Sequence, residues 1–382
     1  MLFLPDWAPN IHPLLVHFPI ALLVVAAIVD SVGMVLKKQD IWRRGAVGLY
    51  VGGALGTFAA WLAGKQAADS VFLPTDANAL LTQHSDLGHY LFYFFTVYAV
   101  IRVVMYALNM DTRTLFRTLG YVTGLGGIVL LWATADHGAQ LVYVYGVGVK
   151  AVPQEMVMVP APNSDGSSSP VSNEDGGWTF KPTRASSWLD SMTTYGAVDD
   201  LQTSMKDGGE RGDVLALSTN GRPVMFTFDQ SMITVQVDLA MNLDDFVGTV
   251  MIVHHVIDEN NYHFTSASNE EMKQGRSENG DIYLMDNKPY SPSGWHSYRV
   301  VADQIHFRAY SDQTLTVHGH GDDPGSGWVG IRLNGTGTVL LDYMQTVSLR
   351  GEGKMDMAEP KEVEMEMEMD DHDDGEDADH EH

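Results

Sequence analysis

Fifteen histidines and no cysteine set the chemistry open to this 382-residue chain. Five of the histidines stand at the ends of long apolar runs. His12 and His17 fall in the proline-braced His12-Pro13-Leu14-Leu15-Val16-His17-Phe18-Pro19, and His84, His89 and His137 follow. An imidazole at the mouth of a bilayer span is costly unless it is hydrogen-bonded, liganded or wet. Three arrangements meet that demand. Haem b can be held between facing helices by a bis-histidine pair. A copper or zinc ion can take imidazoles, with Asp86 or Asp136 as ligand or outer support. Hydrogen bonds alone can cap the helices with no cofactor. A His-x4-His step turns about 140° on a helix, so at most one member of each pair faces inward.

Two further donor groups lie downstream. His318-Gly319-His320-Gly321-Asp322-Asp323 reads as a loop with mixed nitrogen and oxygen donors, which makes His318, His320 and Asp322 a candidate metal site. Met365, Met367 and Met369 alternate with glutamates ahead of His372, His380 and His382. Thioether and imidazole donors suit copper, and the surrounding carboxylates suit calcium. His254-His255 falls in a strand pattern, where neighbours point to opposite faces; one ring is expected in the core and the other in solvent.

The lack of cysteine excludes disulfides, thiolate-bound iron–sulfur clusters, c-type haem attachment and a lipoprotein anchor. The net charge is −26, and residues 352–382 carry half of it, with fifteen carboxylates against two lysines. Such acidity argues against nucleic acid as a partner. It favours cations or a basic protein such as a soluble cytochrome.

These groups must be positioned by elements of very different kinds. Four apolar stretches, roughly 14–36, 46–64, 88–108 and 119–135, approach the length needed to cross a bilayer. Lys37, Lys38, Arg43 and Arg44 lie between the first two, and Arg113 and Arg117 between the last two. The positive-inside rule puts these loops in the cytoplasm. The N-terminus, the second loop and everything after the fourth span are then outside. For a bacterial inner membrane that side is the periplasm, and the chain contacts lipid along all four spans. Asp30 and Arg102 fall at similar depth in two spans of the same direction, so an ion pair between them is expected.

The opening His12-Pro13-Leu14-Leu15-Val16-His17-Phe18-Pro19-Ile20-Ala21-Leu22, His84 before the third span and the His137-Gly138 exit resemble a widespread bacterial family of four-helix predicted membrane proteins. The resemblance covers roughly residues 10–150 and implies a four-helix bundle, with no reaction attached. Residues 151–177 are rich in proline and serine and read as a solvated linker. From 178 to 350 short alternating runs are separated by Asn220-Gly221, Asn279-Gly280 and Asn334-Gly335, the pattern of an antiparallel β-sandwich. Tyr262-His263-Phe264, Gly294-Trp295-His296-Ser297-Tyr298 and Trp328-Val329-Gly330-Ile331 are similar to pieces of laminin-G and concanavalin A-like jelly rolls. That scaffold implies fold rather than function. Residues 351–382 form an acidic tail, expected to be disordered alone.

The architecture is therefore multidomain: an all-α transmembrane bundle over 1–150, a linker, an all-β sandwich over 178–350 and the tail. The sandwich lacks the facing carboxylate pair of a glycosidase, so a non-catalytic role is expected. The first reading is an accessory subunit of a larger membrane assembly, respiratory or photosynthetic, in contact with its other subunits. The alternatives are a haem b- or copper-binding electron-transfer protein and a membrane-anchored glycan-binding module.

Overall fold

The computed structural model describes residues 10–36, 40–149, 170–173, 176–182 and 188–349. The candidate donors Met365, Met367, Met369, His372, His380 and His382 lie outside the described residues.

The apolar stretches form four helices long enough to span a bilayer: α1 (His12–Val35), α2 (Asp40–Ala68), α3 (Thr75–Ala107) and α4 (Thr114–Tyr143). Pro13 sits in the first turn of α1, where its missing N–H costs no helical bond. Each helix packs on the next and α4 closes back on α1. Leu23, Ala26, Tyr50, Phe95, Tyr98 and Leu131 fill the centre. Val97, Val100, Val129 and Trp132 point outward with more than half their surface exposed, as lipid-facing residues do. Inside the bundle Arg102 and Asp30 form a two-pronged ion pair, with Nη1–Oδ2 at 2.5 Å and Nη2–Oδ1 at 2.9 Å. Arg102 also donates to the Tyr98 hydroxyl, which in turn donates to the Gly120 carbonyl. The pair is thus tied into a hydrogen-bonded chain that ends on the α4 backbone. Its two members come from the parallel helices α1 and α3. Arg43 grips Asp111 in the same manner at the opposite end from the five histidines.

Among the described residues fifteen strands follow. They are β1 (Val171–Ser172), β2 (Trp178–Phe180), β3 (Met192–Gly196), β4 (Gln202–Asp207), β5 (Asp213–Asn220), β6 (Val224–Met232), β7 (Val235–Asn242) and β8 (Phe246–Asp258). Then come β9 (Asn261–Ala267), β10 (Glu271–Glu278), β11 (Asp281–Pro289), β12 (Trp295–Asp303), β13 (His306–Ser311), β14 (Thr314–His320) and β15 (Gly327–Ser348). All pairings are antiparallel. The long β15 belongs to two sheets. Its first half runs between β8 and β6, and its second half lies beside β7 with β5 and β2 on its other edge. One sheet therefore reads β11-β10-β9-β8-β15-β6-β3. The other reads β14-β13-β12-β7-β15 and continues through β5 to β4. Val235, Val237, Leu239, Val300, Phe307, Ala309, Ile252 and Met272 interlock between them, which is the sandwich the alternating pattern requires.

Two differences from the sequence reading concern these elements. The sheet begins at Val171, inside the stretch expected to be linker, because Asn173 N–H bonds the Gly177 carbonyl at 2.7 Å and closes a short hairpin. His254 and His255 do not split between core and solvent: both are buried. His255 has φ of 51° at an irregularity of β8. That break in the alternation brings the two Nδ1 atoms to 2.7 Å.

Candidate metal centre between the bundle and the sandwich

The outer face of the β7-β12-β13-β14 sheet is polar and yet buried. Gln236, Asp238, Arg299, Asp303, His306 and Arg308 all fall on it with 4% exposure or less. The turn between α2 and α3 and the first turns of α3 cover them. Spanning 33 residues, α3 is about 50 Å long against about 30 Å of hydrocarbon, so its outer turns reach past the membrane to the sandwich. Arg299 donates Nη1–H to the Leu73 carbonyl at 2.9 Å and pairs with Asp238 at 2.6 Å. Gln236 donates to Thr75 Oγ1 at 2.9 Å and accepts from Asn78 at 3.3 Å. Phe72 stacks edge-on against Tyr310 and lies under the Arg299 guanidinium.

At the β14 edge of this junction three imidazoles converge. His306, His318 and His320 bring one ring nitrogen each to within 4.8 Å of one another. Donors around a tetrahedral ion with metal–nitrogen bonds of ~2.0–2.1 Å stand about 3.3 Å apart, so small side-chain rotations close the set. The strand geometry explains the grouping. His306 pairs directly with His320 across β13 and β14, and His318 lies two residues from His320 on the same face. His318 Nδ1 is 2.8 Å from Asp69 Oδ1 at the end of α2. A carboxylate can only accept, so the proton is on Nδ1 and Nε2 carries the free lone pair. Carboxylate-oriented histidine is the common outer support of a metal ligand. The Nε2 atoms of both His306 and His318 are buried without a hydrogen-bond partner, and buried polar atoms of this kind call for a partner. His306 Nε2 lies 3.6 Å from Asp86 Oδ1 of α3.

The electrostatics keep His306 and His320 neutral. His306 is pushed down to about 3, first by burial and then by Arg308 and the neighbouring imidazoles. His320, open to solvent along one edge, is lowered to about 4 by partial burial, His318, Arg308 and Lys65. A neutral imidazole is the ligand form, so neither His306 nor His320 must lose a proton at neutral pH to bind an ion.

The sequence reading placed His318 and His320 in a loop with Asp322 as third donor. They stand on a strand, Asp322 is exposed and outside the group, and His306 takes its place. The five bundle histidines divide. His12 and His84 face inward, with ring centroids 6.3 Å apart, and each donates Nδ1–H to a helix carbonyl, Ala60 and Thr134 respectively. Gly64 and Gly138 make room for them: a Cβ there would stand 3.2 Å from His12 Cε1 and 2.9 Å from His84 Cε1. His137 donates to Ala133 and His17 is exposed. His89 donates to the Ser85 carbonyl and packs on Trp61. It is close enough to the sandwich trio to influence His306 and His320.

One family match covers this whole helical part. Residues 8–151 are similar to the family described as predicted membrane protein (DUF2231). The matched part ends close to the last residue of the bundle, and the sandwich lies beyond it. No curated protein matches the chain. Among solved structures, a carbohydrate-binding module, CBM66, from Bacillus subtilis aligns at 15% identity and TM-score 0.34, over 41% of this chain and 96% of its own. A Bacillus subtilis protein with a galectin-like fold aligns at 10% identity and TM-score 0.36, over 44% and 94%. A Bacillus licheniformis β-glucanase aligns at 10% identity and TM-score 0.33, over 45% and 98%. The sandwich follows the bundle in sequence and sits on the end where His12, His84, His89 and His137 lie.

Proposed function

We propose that this is a non-catalytic, membrane-anchored protein that binds a divalent transition ion, zinc or copper, at the junction of the bundle and the sandwich. The observation that supports it is the His306–His318–His320 trio, with Asp69 fixing one ring. Three imidazoles with no thiolate suit zinc or copper(II). On this reading the junction faces the periplasm across a bacterial inner membrane, because Arg43, Arg44, Arg113 and Arg117 crowd the opposite end. The test is metal analysis of the full chain purified in detergent. One zinc or copper ion per chain, lost in His306→Ala and His320→Ala, supports the reading; a metal-free wild type that takes up neither ion on titration defeats it.

A second reading, an accessory subunit of an electron-transfer assembly, draws support from the edge strand β11. There Ile282, Tyr283 and Leu284 stand in a row, each about half exposed, as an unpaired apolar edge does when a protein neighbour covers it. Co-purification of a complex from native membranes tests it, and migration of the chain alone defeats it.

A further inference from the structure

The three histidines all come from the sandwich, whereas the carboxylates that approach their ring nitrogens within 4 Å, Asp69 and Asp86, come from the bundle side. We propose, resting on the metal reading above, that Asp86 of α3 supplies the fourth ligand, so that the ion ties the sandwich to the membrane bundle.

The geometry is direct. Asp86 Oδ1 is 3.6 Å from His306 Nε2, and that nitrogen is buried with no hydrogen-bond partner. Three nitrogens and one carboxylate oxygen make a four-coordinate set of the kind that closes a structural zinc site. The charges are consistent with it. Lys65 and Arg308 already bring positive charge beside the trio, so a dication in this half-buried place needs nearby negative charge. Asp86 as ligand and Asp69 as the support of His318 together match the charge of the ion. Both carboxylates flank the turn whose Leu73, Thr75 and Asn78 already hold the sheet face. An ion there adds a coordinate link to a contact otherwise made of hydrogen bonds and the packing of Phe72 against Tyr310, Val301 and the Arg299 guanidinium. Asp86 is about two-fifths exposed, so its substitution leaves the helix and the bundle core untouched.

Two readouts on the full chain in detergent separate the inference from the reading beneath it. The first is zinc(II) affinity by competition with a chromogenic chelator. The second is hydrogen exchange of residues 69–78 with and without zinc. In wild type, zinc binds once per chain and slows exchange of 69–78. Asp86→Asn weakens zinc by at least about tenfold, and at saturating zinc the slowing is lost. Asp86→Glu, which keeps the carboxylate, restores most of both. If Asp86→Asn binds zinc as tightly as wild type, or wild-type binding leaves 69–78 unchanged, the metal site stands and the tie is refuted. If no zinc binds to wild type, both fall.

Discussion

Asp69 offers a graded test of how the trio is held. Its carboxylate accepts from His318 Nδ1 at 2.8 Å and is half exposed, so it can be changed without opening a cavity. Supports of this type are worth about 10–100-fold in metal affinity, or roughly 1.4–2.8 kcal/mol at 1.4 kcal/mol per factor of ten. Asp69→Asn keeps an oxygen that can accept the same bond but removes its charge, and the expected loss is near tenfold. Asp69→Ala removes the bond, frees the ring to rotate or change tautomer, and should approach the hundredfold end. The assay is zinc(II) competition against a chelator at pH 7.5, with His318→Ala as the reference for loss of the ligand itself. Equal affinity for wild type, Asp69→Asn and Asp69→Ala, while His318→Ala weakens binding, would refute the argument that this carboxylate orients the ring.

Arg102→Leu leaves the Asp30 carboxylate buried and alone, and should cost about 3–5 kcal/mol of bundle stability. The double variant Arg102→Leu/Asp30→Asn should recover most of it, read by a double-mutant cycle of unfolding in mixed micelles; additive losses would contradict the pairing. Gly138→Ala places a Cβ 2.9 Å from His84 Cε1 and should destabilise the bundle by about 1–3 kcal/mol. In the background of His84→Ala the same change should be nearly neutral. Acid should weaken the sandwich. Burial, with His255 and then Arg276, lowers His263 to about 4, and burial with His255 and His263 lowers His254 well below its ordinary value. Both bind protons more readily unfolded, so their contribution is complete above pH 6.5 and is lost as the pH falls toward 4. Denaturant midpoints of the full chain between pH 8 and 4 should decline below 6.5, and less in His263→Gln.

The spans were legible because twenty apolar residues in a row admit few other structures, and the alternating runs announced a sandwich for the same kind of reason. The metal centre was half legible. His318 and His320 stood out, yet the glycines around them suggested a loop. In the fold Gly319 is a strand residue facing the other side, where a Cβ would come within 2.7 Å of Met285; a glycine in a strand marks close approach as readily as a turn. His306 was missed because it joins the others only through register. The signal was the hairpin at Asp312-Gln313, where both residues have positive φ. It was obscured because neither is the glycine that such tight turns favour. Asp69 was not singled out, since nothing local in the sequence shows that a sheet more than 200 residues away will settle on that loop.

The double membership of β15 bears on how the molecule is made. Five other strands, β2, β5, β6, β7 and β8, take it as a partner, and among the described residues it is the last strand in chain order. During synthesis the two half-sheets can therefore collapse but cannot be joined until residues 327–348 have emerged, long after the helices are available for insertion. Pairings so distant in sequence form slowly, and until they form the edges of β7 and β8 stay open. The bundle thus waits at the membrane surface as a finished platform, with Asp69, Leu73 and Asp86 already in place, while the domain above it is still incomplete.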